Sequence, residues 1–341
     1  MRTADFDYAL PPELIAQAPL PERDRSRLLT VDRASGALAH GTFADFAALP
    51  APGDVVAIND SRVIPARLPA RRRGGGAAEV LLVTREAEGT WRALVRPGAR
   101  IRPPARLDLG DGDAIEIAAT LEGGQRRVRL VGDGGDEAVI RRRGQVPLPP
   151  YIARPPDERD RERYQTVYAA APGSVAAPTA GLHFTPAVLT GLAERGVALA
   201  RLTLHVGPGT FRPVTDADPA RHRLDPEAYV LPAETARAIA GARARGGKVW
   251  AVGTTVTRTL ETRAAADGGV QAGAGWTSLF IRPGHTFRVV DHLLTNFHLP
   301  KSTLLMLVSA FAGRELVMRA YEEAIRRRYR FYSYGDAMLI V

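Results

Sequence analysis

The 341-residue sequence has no cysteine and only two lysines, Lys248 and Lys301. The absence of cysteine excludes disulfide bonds, thiolate nucleophiles and zinc–thiolate sites. Histidine and acidic residues do not occur at the spacing of common metal ligands, such as HxH or HExxH, so we expect no metal site. The longest apolar run, around residues 304–308, is far shorter than the ~18 residues that cross a bilayer. The first residues form no signal sequence, and we expect a cytoplasmic protein without a membrane partner.

Aromatic residues are also scarce, at 6% of the chain. A protein that only binds RNA usually presents a run of aromatic side chains on which bases stack, so this scarcity argues against that class. Lysine and arginine together number 46 against 37 acidic residues, which gives a net charge of +9. An excess of positive charge favours a polyanionic partner, and nucleic acid is the first candidate. Base composition explains why arginine is used in place of lysine, but it does not explain the excess of basic over acidic residues.

Residues 66–145 differ in pattern from the rest of the chain. Short β-type runs such as EVLLV, TWRALV and RRVRL recur between turns rich in glycine or acid, without a convincing helical period. Regular short strands predict a small barrel or sandwich. Between residues 67 and 106, ten arginines stand against three glutamates: Arg67, Arg71, Arg72, Arg73, Arg85, Arg92, Arg96, Arg100, Arg102 and Arg106 against Glu79, Glu86 and Glu88. This local imbalance favours contact with RNA, and a solvated basic surface is the alternative.

Elsewhere, helix-type and strand-type patterns alternate along the chain. Such alternation predicts a layered sheet with helices on its faces. We therefore assign the sequence to the α/β class, with a layered mixed-sheet α/β main domain that is interrupted by an inserted small all-β barrel domain. The predicted boundaries place the discontinuous main domain at residues 1–64 and 148–341 and the barrel at 65–147. The proline-rich segment VPLPPYI marks the second junction.

Polar clusters follow several predicted strands or begin several predicted helices, and ligands of open α/β sheets bind at such points. Small residues let the backbone approach a flat ligand closely, and free amides at a helix start bind anions. The candidate binding residues are Asn59, Asp60, Ser61 and Arg62; Thr179 and Gly181; Gly207 and Gly209; Thr254, Thr255, Arg258 and Glu261; and Asn296, His298, Lys301 and Ser302. His183 and His205 lie within two of these clusters.

Each cluster also has a purely structural interpretation. Asn59 can form a simple turn into the inserted module, and His205 can be a satisfied core residue within an apolar strand. Arg258 and Glu261 stand three apart on a predicted helix and can pair with each other. Lys301 is unusual in a chain that otherwise uses arginine, which indicates a compact donor for a carboxylate or phosphate. A surface lysine whose stem covers apolar residues is the alternative.

Seven segments carry a resemblance to a known enzyme family. Two lie near the start of the chain, FDYALPPELIAQ and NDSRVIPARL, and five follow: GSVAAPTAGLHFT, LHVGPGTFRPV, AVGTTVTRTLE, LLTNFHLPKSTLLMLVSAFAG and YRFYSYGDAMLI. In this order, and over nearly the whole chain, they resemble the S-adenosylmethionine:tRNA ribosyltransferase-isomerases of queuosine biosynthesis. The β module is the least distinctive part. One departure is Asp225, which stands where the family usually has a second histidine.

The resemblance implies a transferase that uses S-adenosylmethionine as a co-substrate rather than as a permanently bound cofactor. The ribosyl group, not the methyl group, is transferred and isomerised onto the aminomethyl-deazaguanine base at the wobble position of tRNA, with release of adenine and methionine. The implied product is epoxyqueuosine-tRNA, and the implied partner is the anticodon stem-loop of the tRNA. We further expect a monomer.

The implied reaction needs a base for the ribose C5′ proton, which the adjacent sulfonium acidifies, and a donor for the departing adenine. We expect His183 or His205 to transfer the proton, because imidazole titrates near neutral pH. Asp336 and Asp60 are the alternative carboxylate bases. General acid–base catalysis typically contributes ~10²–10⁴-fold, so positioning of the substrates must supply much of the remaining rate.

The methionine end of the co-substrate carries a carboxylate, and the RNA carries phosphates. Lys301 and the helix start at Thr254 and Thr255 are expected to bind one of these anions. His183, Thr254 and Lys301 should then lie in one pocket formed by loops from both ends of the chain. The main alternative is an ordinary S-adenosylmethionine-dependent RNA methyltransferase, whose glycine-rich first strand–helix turn is absent from this sequence.

Overall fold

The computed structural model describes residues 1–86, 89–211 and 213–341. In chain order, the strands are β1 Arg27–Val31, β2 Leu38–Thr42, β3 Val55–Asn59, β4 Ser61–Val63, β5 Arg67–Arg72, β6 Ala77–Arg85, β7 Thr90–Arg96, β8 Ala105–Gly110, β9 Asp113–Thr120, β10 Arg126–Val131, β11 Ala171–Ser174, β12 Ala198–Leu204, β13 Glu227–Leu231, β14 Val249–Val252, β15 Gly273–Thr277, β16 His292–Asn296 and β17 Ala337–Ile340. The helices are α1 Gly135–Arg143, α2 Glu158–Arg163, α3 Pro186–Glu194, α4 Ala233–Ala244, α5 Thr254–Thr262, α6 Thr303–Ala312 and α7 Arg314–Arg326.

The main sheet is mixed. Within the described residues it has nine strands, in the order β15–β13–β12–β3–β14–β16–β17–β1–β2. Its centre is parallel, because β12, β3, β14 and β16 run in the same direction. Antiparallel pairs flank this centre, with β13 and β15 on one side and β17 on the other. Strands β3 and β14 are buried along their whole length, as expected of strands that are covered on both faces.

The inserted segment forms a closed barrel. In the part of the chain that the structure describes, its six strands follow the order β10–β7–β6–β5–β8–β9, and every neighbouring pair is antiparallel. Alternation along β7 buries Trp91, Ala93 and Val95, whereas Arg92 and Arg96 are exposed. Apolar residues from all six strands form a core cluster distinct from that of the main sheet. The predicted fold class is therefore confirmed, while the boundaries at 65 and 147 stay a prediction.

The barrel carries one helix, α1, that the sequence pattern did not predict. Only Val139 and Ile140 are buried in this nine-residue helix, and they pack against the barrel core. Two apolar residues within an arginine-rich segment are too few to produce a visible helical period. The end of α1 is held by Asp113 of β9, whose carboxylate accepts hydrogen bonds from Arg142 at 2.7 Å and Arg143 at 2.8 Å.

Helices of the main domain follow the predicted pattern closely. The sequence pattern predicts one helix near residues 233–244 and another over residues 302–312. Helix α4 has the first of these bounds, and α6 begins one residue later than predicted because Ser302 caps it, with Oγ accepting the N–H of Leu305 at 3.2 Å. Gly313 ends α6 with a φ of 84°, a conformation that favours glycine. The segment PPELIAQ, residues 11–17, predicts a short helix with proline in its first turn, but it contains only the 3₁₀ turn Pro12–Leu14.

The most apolar helix, α6, belongs to the core of the main domain. Leu305, Met306 and Val308 are fully buried in it, in the same cluster as the strands β3 and β14. The apolar run of the sequence thus serves packing beneath the sheet. Among the described residues, no helix combines the length and the apolar character that crossing a membrane requires.

The barrel leaves and rejoins the main domain at one point, which we call the neck. The N–H of Arg67 donates to the carbonyl of Gln145 at 3.2 Å, and the N–H of Gln145 donates back to the carbonyl of Arg67 at 2.8 Å. Beside this pair, Gly144 packs so closely that a Cβ there would lie 2.0 Å from the carbonyl oxygen of Pro65. The neck therefore fixes where the barrel is attached to the sheet.

Candidate active site

Four parallel strands of the main sheet end at the same edge. Strand β3 ends at Asn59, β12 at Leu204, β14 at Val252 and β16 at Asn296. Because these strands are parallel neighbours, the segments that follow them emerge side by side. In open α/β sheets this carboxyl edge is where ligands bind.

A cleft of about 1510 Å³ lies between the barrel and the main domain. Arg85, Arg92 and Arg127 of the barrel line it, together with Arg141 of α1. The residues of the main-domain wall include His205, Gly207, Gly209, Asp225, Glu227, Arg258, Trp276 and Phe280. Of the residues predicted from the sequence, the cleft therefore contains His205, Gly207, Gly209 and Arg258.

His205 lies just beyond the end of β12 and faces the cleft. Its backbone N–H donates to the carbonyl of Ala228 at 2.9 Å, which fixes the residue on the sheet. Gly173 packs against the ring, because a Cβ at that position would lie 3.0 Å from Cε1. The ring Nδ1 is buried and has no hydrogen-bond partner among the described residues. Burial lowers the pKa of His205, opposed by the charge of Asp60, so the neutral imidazole predominates at pH 7.

A buried ion pair lies beside the loop that starts at Gly207. The side chains of Glu227 and Arg258 are only 6% and 5% exposed, and Nη1 of Arg258 donates to Oε2 of Glu227. The other carboxylate oxygen, Oε1, accepts the N–H of Gly207 at 2.9 Å. The guanidinium also donates through Nε to the carbonyl of Leu279 at 3.0 Å. Arg258 of α5 thus pairs with Glu227 of β13 rather than with Glu261 on its own helix, which corrects the helical-pair interpretation.

The segment after β3 supports the edge without lining the cleft. Asn59 is fully buried, and its side-chain amide exchanges hydrogen bonds of 3.0 Å with the carbonyl and the N–H of Leu204. Asp60 accepts a hydrogen bond of 2.6 Å from a threonine hydroxyl of β12. The hydroxyl of Ser61 is buried without a partner among the described residues. Arg62 is exposed and donates to a backbone carbonyl at 2.6 Å.

His183 belongs to a different, buried network. Its Nδ1 lies 2.7 Å from Oγ of Ser26, and its Nε2 lies 3.3 Å from Nδ2 of Asn296. Because Oδ1 of Asn296 accepts the hydroxyl of Thr179 at 2.7 Å, the amide NH₂ group donates to Nε2 and the proton of the ring resides on Nδ1. Burial and two nearby arginines lower the pKa of His183 to about 3. His183 is therefore neutral, and it lines a small cavity separate from the cleft.

Gly181 and the start of α5 occupy tightly packed positions. A Cβ at Gly181 would lie 2.0 Å from the hydroxyl of a buried tyrosine. Thr254 and Thr255 are buried in the first turn of α5. Glu261 at the other end of α5 accepts backbone N–H groups from residues 288–290 at 3.0, 3.1 and 3.2 Å. These contacts hold α5 in place, and among the described residues of α5 only Arg258 lines the cleft.

The predicted residues before α6 also have structural partners. His298 is buried, its Nε2 lies 2.7 Å from the hydroxyl of Thr295, and burial lowers its pKa to about 3. Lys301 is exposed, and its Nζ lies 2.8 Å from the carboxylate of Asp7. Ser302 caps α6. The part of this segment that lines the cleft is the first turn of α6 itself.

Asp336 is buried and saturated with hydrogen-bond donors. Its Oδ1 accepts the backbone N–H of Arg27 at 3.0 Å, and its Oδ2 accepts Nε of the same arginine at 3.1 Å. Oδ2 also accepts the backbone N–H of Arg330 at 2.8 Å. The carboxylate therefore connects β1 to the C-terminal segment. It does not line the cleft between the barrel and the main domain.

The structure does not bring His183, Thr254 and Lys301 together, contrary to the expectation of one shared pocket. His183 lines the small cavity, Thr254 is enclosed at a helix start and Lys301 pairs on the surface. The N-terminal loops do not contribute either, because Val63 is the first described residue that lines the cleft. The cleft is instead formed by the barrel, the segments around residues 205–209 and 224–228, and the first turn of α6. The catalytic and binding roles of the predicted residues stay predictions.

Gly173, Glu227 and Trp276 were missed by sequence reasoning. Glu227 is a charged residue at the start of an apolar strand, and nothing local distinguishes it from a solvated acid. Trp276 stands in the segment GAGWT, in which it is the only large side chain. That isolation was an available signal. The role of Gly173 depends on its approach to His205, which only the fold reveals.

Together, the layered α/β sheet, the inserted barrel and the histidine-containing cleft between them define a two-domain enzyme. The chain belongs to the queuosine biosynthesis protein family, whose model matches residues 3–340. It is 54% identical to S-adenosylmethionine:tRNA ribosyltransferase-isomerase of Symbiobacterium thermophilum and 51% identical to the enzyme of that name from Geobacter metallireducens, with 100% of each chain covered in both comparisons.

The fold is similar to a solved structure as well. The crystal structure of S-adenosylmethionine tRNA ribosyltransferase from Thermotoga maritima is 40% identical in sequence and superimposes with a TM-score of 0.57. The match covers 99% of this chain and 100% of the other. The inserted barrel and the mixed sheet therefore belong to one shared architecture.

Proposed function

We propose that the protein transfers and isomerises the ribosyl group of S-adenosylmethionine onto the aminomethyl-deazaguanine base at the wobble position of tRNA. The products are epoxyqueuosine-tRNA, adenine and methionine. The observation that carries this proposal is the similarity over the whole chain to relatives named for this reaction. S-adenosylmethionine acts as a co-substrate, and a tRNA substrate implies a cytoplasmic enzyme. We further propose that the protein acts as a monomer.

The size of the cleft supports two substrates at once. Its volume of about 1510 Å³ exceeds the ~300–1,000 Å³ that is usual for small-molecule pockets. A nucleoside co-substrate and an RNA base that has been turned out of its stack require such a space. The barrel forms one wall and the carboxyl edge of the sheet forms the other, so both substrates can enter from the open side.

Among the predicted bases, His205 has the geometry that proton transfer requires. It lines the cleft, and its lowered pKa keeps the imidazole neutral at pH 7. A neutral imidazole can accept the ribose C5′ proton, which the sulfonium acidifies. Both ring nitrogens of His183 are engaged outside the cleft, so we assign His183 a structural role.

The carboxylate of the methionine end needs a positive partner. The first turn of α6, Thr303 and Leu304, lines the cleft, and the positive end of a helix favours a carboxylate. Lys301 is the alternative that the sequence indicated. If Lys301→Ala raises the KM for one substrate, Lys301 belongs to the site. An unchanged KM for both substrates would remove Lys301 from the site.

The barrel supplies contacts to the RNA backbone. Arg85, Arg92 and Arg106 pair with acidic side chains at exposed positions, which leaves them little free charge. Six other arginines form no ion pair with the described residues: Arg71, Arg72, Arg73, Arg96, Arg100 and Arg102. Glu88 lies outside the described residues. Replacement of residues 71–73 by glutamine should weaken tRNA binding and reduce its dependence on salt, whereas unchanged binding would assign the phosphate contacts to the main domain.

A product assay tests the proposed function directly. The protein is incubated with S-adenosylmethionine and an anticodon stem-loop that carries the aminomethyl-deazaguanine base. We expect adenine and methionine in equal amounts, and no release with a stem-loop that carries guanine instead. Formation of S-adenosylhomocysteine would identify a methyltransferase. His205→Gln should lower adenine release by ~10²-fold or more, whereas normal release by that variant would remove His205 from the reaction.

A further inference from the structure

Trp276 is unusually exposed for a tryptophan. Its side chain is 59% exposed, whereas the other two tryptophans of the chain, Trp91 and Trp250, are each 5% exposed. Trp276 lies in β15, which is an edge strand of the main sheet, and its side chain lines the cleft. An indole left open beside a cleft offers a flat surface on which the ring of a ligand can stack.

The sheet register places Trp276 on the same face as His205. Ala228 of β13 is the direct partner of Trp276, and its carbonyl accepts the N–H of His205 from the other side. Residues directly opposite each other in antiparallel strands point to the same face. His205, Ala228 and Trp276 therefore form a row across three strands, with the small alanine in the middle. Since neighbouring strands lie ~4.8 Å apart, the imidazole and the indole stand about 10 Å apart along this row.

The lining of the cleft also carries free positive charge. Arg141 of α1 and Arg161 of α2 are exposed, line the cleft and form no ion pair with the described residues. The remaining cleft arginines of the described structure, such as Arg258, are paired with acidic residues. A flat aromatic surface in the same cleft as unpaired guanidinium groups is the combination that binds unpaired nucleotides, with the base on the ring and the phosphates on the arginines.

We propose that Trp276 is a stacking platform for an unpaired base of the RNA loop, next to the base that reacts at His205. The proposal rests on the proposed function, since it identifies how the RNA is held in that cleft. The target base reaches His205, and an adjacent base of the loop stacks on the indole. Arg141 and Arg161 hold the phosphates between the two. Trp276 is thus a binding residue for RNA and makes no contact with S-adenosylmethionine.

Tryptophan fluorescence tests this proposal, because a neutral quencher such as acrylamide reaches an exposed indole far more readily than a buried one. With excitation at 295 nm, where RNA absorbs little, we expect a readily quenched component that Trp276→Phe removes. An anticodon stem-loop with its seven-nucleotide loop should protect this component, whereas a duplex of the same stem without the loop should not. Equal protection by S-adenosylmethionine alone, or no protection by the stem-loop, would overturn the proposal.

Steady-state kinetics supply an independent measurement. Trp276→Ala should raise the KM for the stem-loop about tenfold or more and leave the KM for S-adenosylmethionine unchanged. Trp276→Phe keeps a stacking surface and should restore most of the loss. Val230→Ala is the matched control, because Val230 is an exposed apolar residue on the same pair of strands that does not line the cleft. That variant should retain the KM for RNA of the unmodified protein.

The outcomes separate this proposal from the proposed function. If adenine is released from the modified stem-loop but Trp276→Ala leaves the KM for RNA unchanged, the function stands and the stacking platform is refuted. If no adenine is released but the stem-loop still protects Trp276, the platform stands and the reaction is refuted. If acrylamide quenching of Trp276 falls as the protein concentration rises in the absence of RNA, the indole lies in a contact between copies of the chain. That result would overturn the proposal.

Discussion

Gly173 and the imidazole of His205 are in direct contact, and the approach leaves no space for a side chain. A Cβ at Gly173 would lie 3.0 Å from Cε1 and 3.2 Å from Nδ1 of the ring. The φ of 138° at Gly173 adds backbone strain for any other residue. The strand β11 therefore sets the orientation of the ring that faces the cleft.

Gly173→Ala should consequently displace His205. We expect kcat for adenine release to fall about tenfold or more, because a misplaced base loses much of its contribution. Gly191→Ala is the control, since Gly191 lies in α3, where a Cβ meets its nearest neighbour at 3.4 Å and alanine favours the helix. Rates of adenine release with saturating substrates measure both. Full activity of Gly173→Ala would show that the ring position is not set by this contact.

The pH profile of kcat/KM should report the pKa of His205. The base must be neutral, so activity falls as the pH drops through that pKa, and burial places it below the ordinary value of about 6.5. Asp60→Asn removes the charge that opposes this shift, so the acid limb should move to still lower pH. His183→Gln should leave the limb in place. An acid limb centred above pH 6.5, or an upward shift in Asp60→Asn, contradicts the assignment.

The ion pair of Glu227 and Arg258 should dominate the stability of the cleft wall. Glu227→Ala leaves a guanidinium buried without its partner, and we expect the free energy of unfolding to fall by about 3–5 kcal/mol. Urea unfolding followed by circular dichroism measures this loss. Glu323→Ala serves as the control, because Glu323 pairs with Arg326 and Arg327 at exposed positions and should cost much less. Equal losses in the free energy of unfolding would show that the buried ion pair contributes no more to stability than the exposed one.

Asp113 should make stability depend on pH in the acid range. Hydrogen bonds from Arg142 and Arg143 lower the pKa of Asp113 to about 2, below the value near 3.9 of an unfolded chain. The stabilisation is therefore complete above about pH 4 and is lost as the pH falls toward 2. Asp113→Asn should lower the melting temperature at pH 7, and the difference from the unmodified protein should narrow between pH 4 and pH 2. A difference that is constant over this range would contradict the linkage.

The ends of the helices and strands were predictable because their signals are local. Continuous apolar residues in VVAI predicted a fully buried strand, and β3 is one. A serine before α6 and a glycine after it predicted its limits, since caps depend on backbone geometry within a few residues. The alternation of elements then determined the mixed sheet and its carboxyl edge.

The division of roles between His183 and His205 was not predictable from the sequence. Both follow small residues near the ends of strands, and both looked equally suited to proton transfer. The difference arises from tertiary packing, because Ser26 and Asn296 enclose one ring while the other faces the cleft. Contacts between residues far apart in sequence decide which imidazole is accessible.

The ion pair expected within α5 was wrong for the same reason. Arg258 and Glu261 have the spacing of a helical pair, but Glu227, 31 residues away, reaches the guanidinium through the pairing of β13 with its neighbours. Helical spacing contributes only ~0.2–0.5 kcal/mol per pair, so a buried partner easily prevails. Of the three cleft residues that sequence reasoning missed, Trp276 was the one whose sequence context could have identified it.

The neck has a consequence for how this protein is assembled from its parts. Arg67 and Gln145 form a mutually hydrogen-bonded pair, so the polypeptide departs and returns across a single residue pair. A segment inserted between these two residues requires no rearrangement of the sheet. The entropic cost of closing the inserted loop grows only slowly with its length. A tight turn of two residues, or a foreign module with adjacent termini, can therefore occupy the same position, which makes the α/β scaffold a suitable acceptor for domain grafting.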